Sequence, residues 1–68
     1  MTTGERLMKR VHAAHRLGLA ERNGTPRAKT EGLRRRAKLY GAPACVAAAH
    51  AYGREGLPAF GRKDPGGR

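Results

Sequence analysis

Apolar residues recur along the first third of the chain at the spacing of an amphipathic helix. Four of them share one face: Leu7, Val11, Ala14 and Gly18. Basic side chains fill the other faces, as expected for a helix that packs along one side only. Asn23-Gly24 is a typical helix terminator, and Pro26 just beyond it prevents continuation. The pattern therefore predicts a first helix over residues 4–22.

A second helical pattern follows Pro26. We expect a helix over residues 30–40, because Gly32 disfavours an earlier start, and we expect Gly41 to end it in a left-handed conformation. The alternative is a start at Pro26, with Thr25 as the cap and the proline at the first helical position. Both versions give a short, strongly basic helix.

An alanine-rich stretch predicts a third helix over residues 43–52. Pro43 suits its first turn and Gly53 is expected to end it. The apolar stripes of the second and third helices then predict a small core. We expect these residues to be buried: Leu33, Ala37, Tyr40, Val46 and Leu57.

These elements predict an all-α fold, a small three-helix domain over residues 1–57 with a Gly/Pro-rich basic tail over residues 58–68. A chain of 68 residues with two tyrosines and one phenylalanine can bury only a thin core. We therefore expect marginal stability alone, and a protein partner or self-association that completes the fold.

The net charge of the chain indicates a class of binding partner. Fifteen Lys and Arg stand against five Asp and Glu, a formal net charge of +10, which favours polyanionic partners through counterion release. Arginine dominates, and its planar fork suits phosphates and guanine edges. The alternative is a GC-rich genome that encodes arginine in place of lysine throughout. Few aromatic side chains are present to stack on unpaired bases, so duplex DNA is favoured over RNA.

Other composition signals exclude several classes. Cys45 is the only cysteine, so an internal disulfide is impossible and a reducing, cytoplasmic setting is expected. No apolar run has the length of a membrane span. The chain has few acidic residues for acid–base pairs and no phosphate-binding glycine loop, so we expect no enzyme activity and no cofactor.

A basic helix, a short turn with glycine and a further helix follow one another from Leu33 onward. In this order helix-turn-helix proteins place a recognition helix in the major groove. Ala37, four residues before Gly41, supplies the small side chain needed where the two helices cross. After the third helix come Arg54-Glu55-Gly56-Leu57-Pro58-Ala59-Phe60 and then Gly61-Arg62-Lys63.

In residues 33–63 the chain resembles the excisionase-like and MerR-like winged helix-turn-helix families, with Gly-Leu-Pro-Ala-Phe as the most specific stretch. The resemblance implies DNA binding, with Gly61-Arg62-Lys63 as a basic wing. The predicted recognition helix is mostly alanine, however, so phosphate contacts are expected to outweigh base reading. The alternative is an ordinary three-helix bundle with a charged exterior.

The leading hypothesis is a small basic DNA-binding accessory or regulatory factor. Its expected nucleic-acid contacts are Arg34, Arg35, Arg36, Lys38, His50, Tyr52, Arg54, Arg62 and Lys63. The alternative hypothesis is a small basic interaction subunit that docks on a larger assembly, such as a ribonucleoprotein, a polymerase or a virion.

A zinc site is a further possibility for the histidines and the cysteine. If the first and third helices pack together, four side chains offer a tetrahedral set: His12, His15, Cys45 and His50. Cys45 and His50 stand five residues apart on one helix, about 140° around its axis, which is poor for chelation. We therefore expect no metal site, and instead partly buried or solvated histidines and a small buried thiol.

Overall fold

The structure is a computed structural model that describes residues 3–60. It contains three helices, α1 over Thr3–Arg22, α2 over Arg27–Ala37 and α3 over Ala44–Arg54, and no strand within the described residues. The prediction of a small all-α, three-helix domain is confirmed. The predicted tail falls largely on residues 61–68, which lie outside the described range.

The end of α1 follows the predicted signal. Gly24 adopts a left-handed backbone with φ 76°. Its N–H donates to the carbonyl of Glu21 at 3.1 Å, while the Thr25 N–H donates to the carbonyl of Ala20 at 2.9 Å. These two bonds form a Schellman motif, which satisfies carbonyls that the last helical turn leaves open.

The start of α2 corrects the preferred prediction. The helix begins at Arg27, directly after Pro26, and not at Thr30. Thr30 lies inside the helix and is buried, and its hydroxyl donates to the carbonyl of Arg27 at 2.9 Å. The hydroxyl is thus satisfied within the helix, so Thr30 can face the interior without acting as a cap.

The end of α2 is also earlier than predicted. Lys38, with φ 49° and ψ 57°, takes the left-handed terminal position that was expected of Gly41. The Arg10 side chain donates to the carbonyls of Ala37 and Lys38, which compensates for the helical bonds that end there. Tyr40 therefore lies beyond the helix and is fully exposed, so the prediction that it is buried is wrong.

Both ends of α3 lie later in the chain than predicted. Pro43 precedes the helix, and Gly53 is a buried residue within it, not its end. The helix ends at Arg54, and Gly56 two residues later has a left-handed conformation. The Leu57 N–H then donates to the Tyr52 carbonyl at 2.8 Å. Leu57 follows on the outside of this turn and is 37% exposed, which contradicts its predicted burial.

Helix α1 is the central element of the domain. Both α2 and α3 pack against it, and they make little contact with each other. The Arg10 side chain bonds the end of α2, and Arg34 of α2 reaches Glu21 near the end of α1, so these two contacts hold the last turn of α2 against α1. Residues 38–43 connect α2 to α3, a longer connection than the predicted helices over residues 30–40 and 43–52 leave.

The core is small and aliphatic. Its buried apolar residues are Val11, Ala13, Ala14, Leu17, Ala37, Val46 and Ala49. Ala37 and Val46 are buried as predicted, and Leu33 is only partly buried against this cluster. With so little side-chain volume, α1 and α3 approach closely enough for Gly18 and Gly53 to meet backbone to backbone.

Candidate nucleic-acid interface

Helices α1 and α2 enclose a basic groove on one side of the domain. It consists of two adjoining concavities of about 570 and 400 Å³ that share Lys9 and Arg36. Its floor includes Ala13 and Leu33. The cationic lining, which defines the α1–α2 groove, is Arg6, Lys9, Arg10, Arg16, Arg36 and Lys38.

The cations of α1 lie in the groove because of their helical spacing. Arg6, Lys9 and Arg16 are separated by three and seven residues, so they follow one face of the helix. At 1.5 Å per residue this row extends over about 15 Å. Within residues 3–60 no acidic side chain lines either concavity. The groove therefore presents a continuous stretch of positive charge.

Arg10 joins the two walls of the groove. Its Nε donates to the carbonyl of Ala37 at 3.2 Å, and its Nη2 donates to the carbonyl of Lys38 at 2.8 Å. A cation at a helix C-terminus also interacts favourably with the helix dipole. Arg10 thus fixes the end of α2 and keeps Lys38 beside α1.

The three consecutive arginines of α2 have different environments. Arg36 lines the groove, as does Lys38 after it. The Arg35 side chain is 84% exposed and lies outside the groove lining, 4.0 Å from Glu31 one turn earlier. Arg34 is half-buried, and its Nη2 lies 3.5 Å from Oε2 of Glu21.

Glu21 is the acidic centre of a cluster that joins all three helices. Its Oε1 lies 2.7 Å from Nε2 of His50 and 3.9 Å from Nε of Arg54, and its Oε2 faces Arg34. The Nε of Arg34 is buried with no hydrogen-bond partner in the described part of the chain. The Arg22 side chain adds a bond to the carbonyl of Arg54 at 3.3 Å.

Two residues of this cluster, His50 and Arg34, belong to the predicted nucleic-acid site. Both were predicted to contact nucleic acid, but each faces Glu21, and only 20% of the His50 side chain is exposed. Arg54 stays 65% exposed, and Tyr52 is half-buried. The predicted contacts Arg62 and Lys63 lie outside the described residues. The structure thus brings Arg36 and Lys38 together and leaves His50 and Arg34 at a separate site.

The four candidate zinc ligands do not converge. His12 lines the α1–α2 groove, and His15 Nε2 lies 2.7 Å from the carbonyl oxygen of Leu57. His50 faces Glu21 and Cys45 is exposed, so the expectation of a buried thiol is wrong. Among residues 3–60 no group of three or more His, Cys, Asp or Glu side chains is arranged to hold a metal ion.

The sequence-based site omitted the α1 half of the groove. The missing residues are Arg6, Lys9, Arg10, His12 and Arg16. Their three- and four-residue spacing was a usable signal, because it places cations on a common helix face. Sequence spacing alone does not reveal that α2 lies beside this face and adds Arg36 and Lys38.

Comparison of the chain with protein-family models, with curated protein sequences and with solved structures finds no match. The resemblance to winged helix-turn-helix families therefore stays a prediction. Across residues 3–60, every helix is too short or too polar to cross a membrane.

Proposed function

We propose that the protein is a small DNA-binding accessory or regulatory factor that holds the phosphate backbone of duplex DNA in the α1–α2 groove. The observation that supports this proposal is the convergence of six Lys and Arg side chains on one groove, from α1, from α2 and from the residue that follows α2. Arg16 lines one concavity, Arg6, Arg10 and Lys38 line the other, and Lys9 and Arg36 line both. In this proposal the protein binds DNA through the groove. It catalyses no reaction and acts in the cytoplasm.

The length of the groove suits a polyphosphate. A row of about 15 Å is long enough to meet several successive phosphates of one DNA strand. Lys and Arg that replace condensed counterions gain affinity from the entropy of the released salt. Arg10 is already bonded to two carbonyls, so the other five cations supply most of this interaction.

In this proposal α3 reads few bases. The exposed residues of its first turns include Ala44, Cys45 and Ala47, which lack the donors and acceptors that distinguish base pairs. The helix-turn-helix docking implied by the family resemblance would depend on Tyr52 and Arg54 beyond them. Phosphate contacts through the groove position the protein, and DNA shape or a partner protein supplies selectivity.

The second candidate is a basic interaction subunit on a larger assembly. It is favoured by Leu57 and Phe60, apolar side chains that stay exposed after α3, with 60% of Phe60 accessible. Such residues suit a protein partner or self-association better than a phosphate. In this case nucleic-acid affinity would be secondary, and substitutions at Leu57 and Phe60 would affect assembly more than groove substitutions.

A binding titration with matched variants tests the proposed function. We expect the double variant Lys9→Ala/Arg36→Ala to bind a duplex DNA of about 20 base pairs at least tenfold more weakly than the parent protein, since two phosphate-binding cations are removed. Arg35→Ala removes one charge from outside the groove lining and should have a much smaller effect. Equal effects of the two variants, or no duplex binding at low salt, would count against the groove. Duplex RNA in the same titration shows whether DNA is preferred.

A further inference from the structure

Tyr40 stands at the tip of a turn beside the α1–α2 groove. The Ala42 N–H donates to the Leu39 carbonyl at 3.1 Å, and Gly41 in the third position has φ 70°. Both features belong to a type II turn, in which glycine supplies the left-handed backbone. Tyr40 occupies the second position, and its relative exposure of 101% means that its ring packs against nothing in the described chain.

The turn that exposes this ring is anchored to the rest of the domain at both ends. Leu39 and Ala42, the two ends of the turn, pack against the hydrophobic core. The residue before Leu39 is also fixed, because Arg10 donates to the carbonyl of Lys38 at 2.8 Å. A large aromatic side chain is thus exposed by an anchored turn, and a partner that covers it would meet a preorganised surface.

Tyr40 also lies close in the chain to a cation of the α1–α2 groove. Tyr40 follows Lys38 by two residues, which limits the distance between their Cα atoms to about 7 Å. Lys38 lines one concavity of the groove, together with Arg6 and Arg36. A strand whose phosphates lie in this part of the groove would bring its bases within reach of the turn.

We infer that Tyr40 stacks on an unpaired nucleobase of a nucleic acid held in the α1–α2 groove, so that the preferred target is a duplex with a single-stranded extension. This inference rests on the proposed function. A single ring is far too small for a stable protein interface, which buries about 800 Å² per partner. It does match one base face, and stacking of this kind tolerates any base. Bases inside a duplex are already stacked, so the partner base is an unpaired one.

Three DNA probes test the inference: a blunt duplex, the same duplex with a short single-stranded extension, and that duplex with an abasic extension of equal charge. We expect the parent protein to bind the second probe at least about fivefold more tightly than either other probe, as one stacked base provides. Tyr40→Ala should lose this preference and Tyr40→Phe should keep it. Phe60→Ala, which removes another exposed aromatic ring, serves as the matched control and should keep it as well.

Tyrosine emission gives a second readout. The chain has two tyrosines and no tryptophan, so Tyr52→Phe leaves Tyr40 as the only strong intrinsic fluorophore. Stacking predicts quenching by the natural extension and not by the abasic one. Equal affinity for all three probes with unchanged emission would overturn the stacking inference and leave the proposed groove function standing. Absence of binding to every probe at low salt would overturn both.

Discussion

Gly18 of α1 and Gly53 of α3 bring the two helix backbones into direct contact. A Cβ atom added to Gly18 would lie 2.9 Å from the Cα of Gly53 and 2.7 Å from the backbone nitrogen of Arg54. Each of these neighbours is a backbone atom, so no side-chain rotation can make room. The glycine pair therefore sets how closely α3 can approach α1.

Gly18→Ala should lower the free energy of unfolding by about 1–3 kcal/mol, because the added Cβ overpacks the contact and forces the two helices apart. Gly32→Ala is the matched control. Gly32 lies within α2 and has nothing within 4 Å of its added Cβ, so this change should stabilise the helix by about 0.5–1 kcal/mol. Denaturant or thermal midpoints of the two variants measure the contrast. Similar midpoints for both would show that α1 and α3 do not cross at Gly18.

Glu21→Gln should weaken the contacts among the three helices. The substitution removes the negative charge that faces Arg34, His50 and Arg54, and we expect a loss of about 1–2 kcal/mol in the free energy of unfolding. Glu31→Gln removes the same charge from an exposed pair with Arg35 and should cost less than about 0.5 kcal/mol. Urea unfolding of the two variants compares them, and a larger loss for Glu31→Gln would contradict the structure.

Val46→Asp and Tyr40→Asp test the corrected core. Val46 is fully buried, so an aspartate there places a charge in an apolar site and should unfold the chain. Tyr40 is fully exposed, so the same change should shift the stability by no more than about 0.5 kcal/mol. Far-ultraviolet circular dichroism distinguishes the two. Loss of helicity in Tyr40→Asp would show that Tyr40 is buried in the core after all.

His50→Ala distinguishes a structural role from base reading. Because His50 Nε2 lies 2.7 Å from Glu21, we expect the variant to lose stability and to keep any preference between a selected DNA site and random duplex. A competition titration together with a thermal midpoint measures both properties. If the preference narrows while the midpoint is unchanged, His50 contacts bases and the helix-turn-helix interpretation gains support.

The sequence predicted the helix count because the apolar spacing and the glycine terminators are local signals. Gly24 acts as predicted, but Gly53 does not, since its small size is required by contact with Gly18, which lies 35 positions away in the sequence. The spacing of Tyr40 from Ala37 predicted a place in the core. That spacing assumes a continuing helix, whereas Lys38 ends α2 with help from Arg10, a tertiary contact that no local pattern reveals.

Tertiary contacts that no local pattern reveals also decide which basic residues form the candidate site. Arg36 and Lys38 were predictable because basic residues are dense between residues 34 and 38, and they do line the groove. Lys9 and Arg16 were visible as basic positions on the first helix, but their use depends on which helix packs beside them. Only the packing of α2 against α1 joins the two sets.

The salt dependence of duplex DNA binding tests the central claim most directly. The measurement is a fluorescence-anisotropy titration of the parent protein and of Lys9→Ala/Arg36→Ala at several salt concentrations. Binding of four or five groove cations to phosphates predicts that log K falls against log salt with a slope of about −4. The double variant should reduce the steepness by about 2, one for each cation removed, while Arg35→Ala leaves it nearly unchanged. A parent slope near zero, or the same slope in the parent and the double variant, would contradict backbone binding in the α1–α2 groove.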